Sequence, residues 1–298
     1  MMIFSKIILR KKFTVFDIGT AGCPQNFYEE GGKSSLQMPA WLVSKGLNVF
    51  EYQCGKGVRF GQKFANDLKN KARQHGVTLT LHAPYYINLA TVEPAKQKRS
   101  AGYILDSLAA AQAMGAIRIV VHPGSAKPQR GSALERAVTL LKKIIAEADE
   151  RHLLDDVTLC PELMGKRNQL GNLDEVIALC QVDDRLIPCI DFGHLNARTS
   201  GSLKSPSDYR FICERLANEL GTERMRTMHI HFSQIEFGKA GEIRHLTFED
   251  QLYGPYFSDF SEVIHELKMR PIFICESAGT QDVDALLMKE QLGNPAGT

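Results

Sequence analysis

The amino-acid sequence predicts an α/β chain folded as one (β/α)8 TIM barrel, a single domain over residues 1–298. Short β-branched or aromatic runs recur along its whole length, and amphipathic stretches with helical spacing lie between them. Eight such runs divide 298 residues into units of about 37, and about 250 residues or more is usual for this fold. An open doubly wound sheet would call for a Gly-rich phosphate loop after its first strand. DIGTAGCPQ has the wrong glycine spacing for one.

In order, the runs are Phe13–Ile18 (FTVFDI), Leu47–Tyr52 (LNVFEY), Val77–His82 (VTLTLH), Ile117–His122 (IRIVVH), Val157–Glu162 (VTLCPE), Leu186–Asp191 (LIPCID), Met225–His231 (MRTMHIH) and Pro271–Glu276 (PIFICE). Each stops at a polar residue or a turn. Apolar residues recur at helical spacing over Ala101–Met114 and Ala133–Arg151. No low-complexity linker interrupts the alternation. RTSGSLKSPSD at 198–208 is expected to form a long mobile loop after the sixth strand, and LGNPAGT is a polar tail.

With 44% hydrophobic and 23% charged residues, the chain can bury a sizeable core, which excludes wholesale disorder. A formal net charge of +2 is far from the strongly basic balance of an overt nucleic-acid binder. The cysteines at 23, 54, 160, 180, 189, 213 and 275 are odd in number and form no CxxC pair, so they read as small buried hydrophobes in a reducing compartment. No apolar stretch approaches the roughly 18 residues that span a membrane, and the start MMIFSKIILRKK has its positive charges after the apolar run, so secretion is not expected. A cytoplasmic monomer is expected.

The chemistry lies in what ends each run. The third ends at His82, the fourth at His122, the fifth at Glu162, and the sixth at Asp191 with His194 three residues on. The seventh ends at His229 and His231, with His245 in the loop that follows, and the eighth at Glu276. A (β/α)8 barrel brings these ends to one rim, where the active sites of the fold are found. Each residue alone has a structural explanation, and Asp191 is as good an N-cap as a ligand. Together, carboxylates facing each other in a barrel mouth repel strongly unless cations neutralise them. Imidazoles and carboxylates suit zinc or manganese, and so many of them exceed what one tetrahedral ion can use.

The segments LHAPYYINLA (81–90), VVHPGS (120–125), PELMGKRNQLG (161–171), CIDFGH (189–194), MHIHFSQ (228–234), GEIRH (241–245) and FICES (273–277) resemble, in order and spacing, the endonuclease IV family of apurinic/apyrimidinic endonucleases. The resemblance implies a barrel with up to three zinc ions that serves base excision repair, its partner being double-stranded DNA with abasic sites. Carried over by position, one ion falls to His82, His122 and Glu162. A second shares Glu162 and adds Asp191, His229 and Glu276, and a third takes His194, Glu242 and His245. Two departures stand out. The last loop reads Glu242-Ile-Arg-His245 where the family has Asp-x-His, one residue shorter. The strand-seven doublet offers both His229 and His231, and His229 is the favoured ligand.

The implied mechanism is attack by a metal-bridging hydroxide on the phosphorus 5′ to the abasic sugar, with Glu276 orienting the nucleophile and a 3′-hydroxyl left behind. Tyr85 matches the family tyrosine that fills the duplex near the lesion. Lys56 or Arg59 occupies the loop where the family carries a DNA-entering arginine. Lys127, Arg130, Lys166, Arg167 and Arg198 are further candidates for phosphate contact, and Asn88 and Asn168 for shaping loops. Three zinc ions would move the net charge from +2 to +8, or about +7 with the hydroxide, with the gain concentrated at the mouth. The main rival is a sugar isomerase or epimerase holding one divalent ion with Glu162, Asp191, His229 and Glu276. It leaves His82, His122, His194 and His245 without a role. A non-catalytic metal- or nucleic-acid-binding barrel is the third class.

Overall fold

The computed structural model describes residues 16–127 and 129–293. Its strands are β1 (Asp17–Ala21), β2 (Val49–Gln53), β3 (Thr78–His82), β4 (Arg118–Val121), β5 (Thr158–Pro161), β6 (Cys189–Asp191), β7 (His229–Phe232), β8 (Ile235–Gly238), β9 (Gly241–His245) and β10 (Ile272–Cys275). All but β8 and β9 form one parallel sheet in the order β5-β4-β3-β2-β1-β10-β7-β6. The ring closes between β5 and β6 through a bridge of Glu162 with Cys189, where Leu163 N–H donates to the Cys189 carbonyl at 3.0 Å. Helices fill each crossover, among them Gln62–His75, Pro94–Met114, Arg130–Glu150 and Leu173–Cys180. This is the predicted single-domain TIM barrel.

Side chains on a strand alternate between faces, and the barrel sorts them accordingly. Ile18, Phe50, Leu79, Leu81, Ile119, Leu159, Ile190, Ile230 and Phe273 belong to the main core, which also takes in the buried faces of the helices. Val49, Ile272 and Ile274 form one separate cluster, and Val120, Cys160 and Cys189 another. The C-terminal end of the barrel is left to histidines and carboxylates. All seven cysteines are free and six are buried, as expected of small hydrophobes.

Several sequence-based boundaries shift; β6 begins at Cys189 and not Leu186, and the helix over Ala101–Met114 begins at Pro94. β1 begins at Asp17, so the run Phe13–Ile18 ends where the strand starts, and its residues 13–15 lie outside the described residues. Met225 belongs to a short helix, Thr222–Arg226, and β7 starts only at His229. The expected long loop at 198–208 is corrected. A helix, Phe192–Arg198, follows β6 directly, and another begins at Pro206. The segment between is tied down where Leu203 N–H donates to Asn196 Oδ1 at 3.0 Å. Among the described residues no helix is long and apolar enough to cross a membrane.

Candidate metal centre

Glu162 is the hub of the mouth. It follows β5, is 1% exposed, and faces four histidines drawn from four different strands or their following turns. Its Oε2 lies 2.9 Å from His122 Nε2 and 3.2 Å from His82 Nε2, and its Oε1 lies 3.3 Å from His231 Nδ1 and 3.5 Å from His194 Nδ1. Five sets of ligand-type atoms gather among the described residues, each within 4.8 Å: His82, His122 and Glu162; Glu162, Asp191, His231 and Glu276; His194, Glu242 and His245; His82, His231 and Glu276; and, deeper, Cys189, His229 and His231.

Asp191 satisfies both explanations of it. One oxygen, Oδ1, caps the helix Phe192–Arg198 by accepting the His194 N–H at 2.7 Å. The other, Oδ2, is buried without a hydrogen bond. Its nearest cation is His194, whose Nδ1 lies 3.2 Å away, so without an ion a protonated His194 offsets its charge. The histidines are oriented as ligands need to be. His82 Nδ1 donates to the Ala83 carbonyl at 2.9 Å, which turns Nε2 toward Glu162. His194 Nδ1 is 3.0 Å from the Leu163 carbonyl, with Nε2 3.5 Å from Glu242 Oε2, and His245 Nδ1 meets Ser233 Oγ at 2.8 Å.

The register separates His229 from His231 by depth. Both project into the barrel, but β6 sets their heights: Asp191 pairs with His231, and Cys189, one layer deeper, pairs with His229. His231 therefore stands among the carboxylates, 3.4 Å from Glu276 Oε1. His229 donates its Nε2 proton to Glu51 Oε2 at 3.0 Å. Glu51 is the residue that sequence reasoning missed. A fully buried glutamate in the middle of an apolar run, LNVFEY, was the signal available for it.

The longer last loop also finds its explanation. β8 and β9 pair as Glu236 with Arg244 but Phe237 with Glu242, so a bulge at Ile243 absorbs the extra residue. Ile243 is thereby pushed out to solvent, while Glu242 and His245 both reach His194. The loop after β5 passes close above this group. At Gly165 a Cβ would stand 2.7 Å from Glu242 Cβ and 2.8 Å from His194 Cδ2, so only glycine fits without displacing them.

The charges are coupled. Burial disfavours charge on His82, but Glu162 and Glu51 overcome it and lift its pKa to about 9. In His194 burial is likewise overcome, by Asp191, Glu162 and Glu242, and the pKa is pushed up to about 10. For His229 burial wins over Glu51 and lowers the pKa to about 4. Burial would raise the Glu162 carboxyl, yet the His122 charge and the hydrogen bonds of its histidine neighbours hold it well below the usual carboxylate range. Without an ion, protonated imidazoles supply the positive charge that the carboxylates demand. The donor set of nitrogens, oxygens and one orphaned carboxylate oxygen fits zinc or manganese.

A cavity of about 390 Å³ opens onto these groups and is also lined by Tyr85, Met164 and Lys166. Tyr85 is 58% exposed at its edge, and Lys56 and Arg59 are exposed on the neighbouring loop without lining the cavity. Lys166 Nζ lies 4.0 Å from Glu242. Three other basic candidates are engaged elsewhere. Arg198 donates to the carbonyls of Met164 and Lys166 at 2.8 Å and of Gln169 at 3.0 Å, and burial, aided by the Arg130 charge, pulls its pKa down to about 10. Arg167 donates to the Arg198 carbonyl and to Ser200, and Arg130 to the Arg167 carbonyl and, bidentately, to Glu175. Asn88 Oδ1 accepts from Ala90 N–H and Ser125 N–H, and the Asn168 carbonyl accepts from Ala126 N–H, so both brace turns.

Residues 39–292 match the family model for xylose isomerase-like TIM barrels. An uncharacterised protein of Methanocaldococcus jannaschii is 31% identical over 272 residues, 91% of this chain and 95% of that one. Proteins named probable endonuclease 4 from Mycoplasma pneumoniae and Thermoplasma acidophilum are 30% and 31% identical, over 61% and 67% of this chain. The match spans 63% of the former, under two thirds of its length, and 70% of the latter. The chain belongs to the endonuclease IV family of xylose isomerase-like TIM barrels. Among solved structures, endonuclease IV from Thermus thermophilus superposes with a TM-score of 0.67 at 19% identity, covering 88% of this chain and 95% of that one. A D-tagatose 3-epimerase-like protein gives 0.62 at 18%, over 85% and 90%. At these identities the two structural likenesses establish the barrel, which nucleases and epimerases share.

Proposed function

We propose that the chain is a metal-dependent endonuclease that hydrolyses the phosphodiester 5′ to an abasic site in double-stranded DNA and leaves a 3′-hydroxyl. The observation that carries this reading is the meeting of three ligand-type groups at one open mouth, with Glu162 common to two of them. Bound there, up to three zinc ions, or manganese in their place, supply Lewis acidity and activate water for attack on phosphorus. Glu162 holds the first two groups together, and Asp191 and His231 complete the second. Glu276, at the rim beside His231, orients the attacking water. His194, Glu242 and His245 receive the leaving oxygen's side of the phosphate. Tyr85 fills the gap at the lesion, where extrusion costs least because stacking is already lost. Lys56 and Arg59 contact phosphates.

A one-ion sugar epimerase would be content with Glu162, Asp191, His231 and Glu276, and would leave His82, His122, His194 and His245 idle. The test is incubation of the zinc-supplied protein with a duplex carrying one abasic analogue. A single cut 5′ to the lesion with a 3′-hydroxyl is expected. Intact duplex at enzyme excess, together with one manganese per chain and turnover of a ketose, would replace this reading with the epimerase.

A further inference from the structure

We propose that Glu51, held by Thr80 and His229, is a positioning residue that fixes the tautomer of His231 and thereby sets the affinity of the ion bound by Glu162, Asp191, His231 and Glu276; this rests on the metal reading above. β2 and β7 are not neighbours in the sheet, so Glu51 reaches His231 across the barrel interior. Glu51 Oε1 lies 3.1 Å from His231 Nε2, an ion-pair contact out of line for a hydrogen bond, while on the other side of that ring Nδ1 is hydrogen-bonded to Glu162 at 3.3 Å and faces Glu276 at 3.4 Å. The carboxylate is itself fixed. Oε2 accepts from Thr80 Oγ1 at 2.9 Å and from His229 Nε2 at 3.0 Å, and Oε1 accepts from Gln53 Nε2 at 3.2 Å. Glu51, Thr80, His229 and His231 are all fully buried. The His231 ring has little freedom to turn, with the His229 ring edge-on at 5.1 Å and the His82 ring stacked at 5.8 Å.

The consequence is chemical. An imidazole ligates through a lone pair, so the nitrogen facing the carboxylates must be free of its proton. The charge of a buried carboxylate 3.1 Å from Nε2 favours the proton on that nitrogen and leaves the Nδ1 lone pair for the group. It also makes that nitrogen more basic. Outer partners of this kind are typically worth 10–100-fold in metal affinity. His229 thus has a role without being a ligand: it is one of the donors that keep Glu51 in place.

The test is zinc titration of metal-stripped protein against a chromophoric chelator, comparing wild type with Glu51→Gln, Thr80→Val and His231→Gln. Glu51→Gln should weaken one ion of the bound set by about 10–100-fold and leave the others within a few-fold. Thr80→Val should weaken the same ion by less, and it decides the matter if Glu51→Gln does not fold. In the zinc-loaded wild type, the His231 Nε2 proton should resonate far downfield because it faces a buried carboxylate, and this signal should be lost in Glu51→Gln. Wild-type affinity for every ion in both Glu51→Gln and Thr80→Val, or an unchanged His231 proton in Glu51→Gln, would overturn the proposal. If His231→Gln itself leaves every ion as tight as before, the metal reading fails, which is a separate result.

Discussion

The two sides of the barrel mouth use basic residues in opposite ways. On the side of β5 and β6, Arg130, Arg167 and Arg198 turn their guanidinium groups onto backbone carbonyls and, for Arg130, onto Glu175, which also caps the helix Leu173–Cys180. On the side of β2 and β3, Lys56, Arg59 and Tyr85 stand exposed, and Arg59 Nε donates to the Lys56 carbonyl at 3.0 Å. The difference follows from what each loop carries. The segment after Glu162 threads past His194 and Glu242 at contact distance and must keep its path, and charged donors to backbone carbonyls are a strong way to hold a loop without secondary structure. The opposite loops carry no ligand and can present their charges outward.

The largest effect expected is at the hub. Glu162→Gln keeps the volume but removes the charge that faces His82, His122, His194 and His231. Cleavage of an abasic duplex should fall by at least about 10²–10³-fold, with fewer ions retained after dialysis. Unaltered cleavage with full metal content would remove Glu162 from the centre of the site. Metal loading should also depend steeply on pH. His82 and His194 have pKa values raised to about 9 and 10, so near neutral pH both are protonated in the metal-free protein and must lose those protons to bind an ion. Apparent affinity should then rise with pH up to about 9, about tenfold per unit for each proton displaced. Calorimetry in buffers of different ionisation enthalpy reads the protons released, and none released at pH 7 would contradict the raised values.

Breaking the brace has a different signature. Arg198→Ala removes the donor to three carbonyls and should cost about 2–3 kcal/mol of folding stability, read by denaturant unfolding of the metal-free protein. If Arg198 were instead a phosphate contact, stability would hold and DNA binding would lose part of its salt dependence.

Much of this site is visible in the sequence because histidines or carboxylates end six successive apolar runs, a repetition that no single structural explanation covers. His82, His122, Glu162, Asp191 and Glu276 all lie where such endings put them. Other features are hidden for physical reasons. His229 and His231 differ by the strand period of two and face the same way, so only the register with β6 tells which stands at the rim. β1 is written DIGTA because it runs close to β2: at Gly19 a Cβ would lie 1.7 Å from the Val49 carbonyl oxygen. A strand built from small residues does not announce itself by β-branched composition. The hairpin of β8 and β9 departs from the barrel's strand-then-helix rhythm, and its bulge is what reconciles Glu242 with a loop one residue too long. The arginines are the least legible, since charge in a sequence does not say whether its partner is a phosphate or a carbonyl.

The smallest effect tests the comparison most directly. If the exposed cations opposite the brace contact phosphates, Lys56→Ala and Arg59→Ala should each lower the magnitude of the slope of log affinity against log salt by about 0.9. Affinity for an abasic duplex should fall several-fold and about equally for all flanking sequences, because phosphate contacts carry no base information. Arg167→Ala, whose guanidinium bonds the Arg198 carbonyl and Ser200, should leave the slope where it was. Fluorescence anisotropy with a labelled abasic duplex, using a cleavage-deficient Glu162→Gln background and a series of salt concentrations, separates these outcomes. A slope that changes with Arg167 and not with Lys56 or Arg59 would reverse the assignment of the two sides and place the phosphate path over the braced loop.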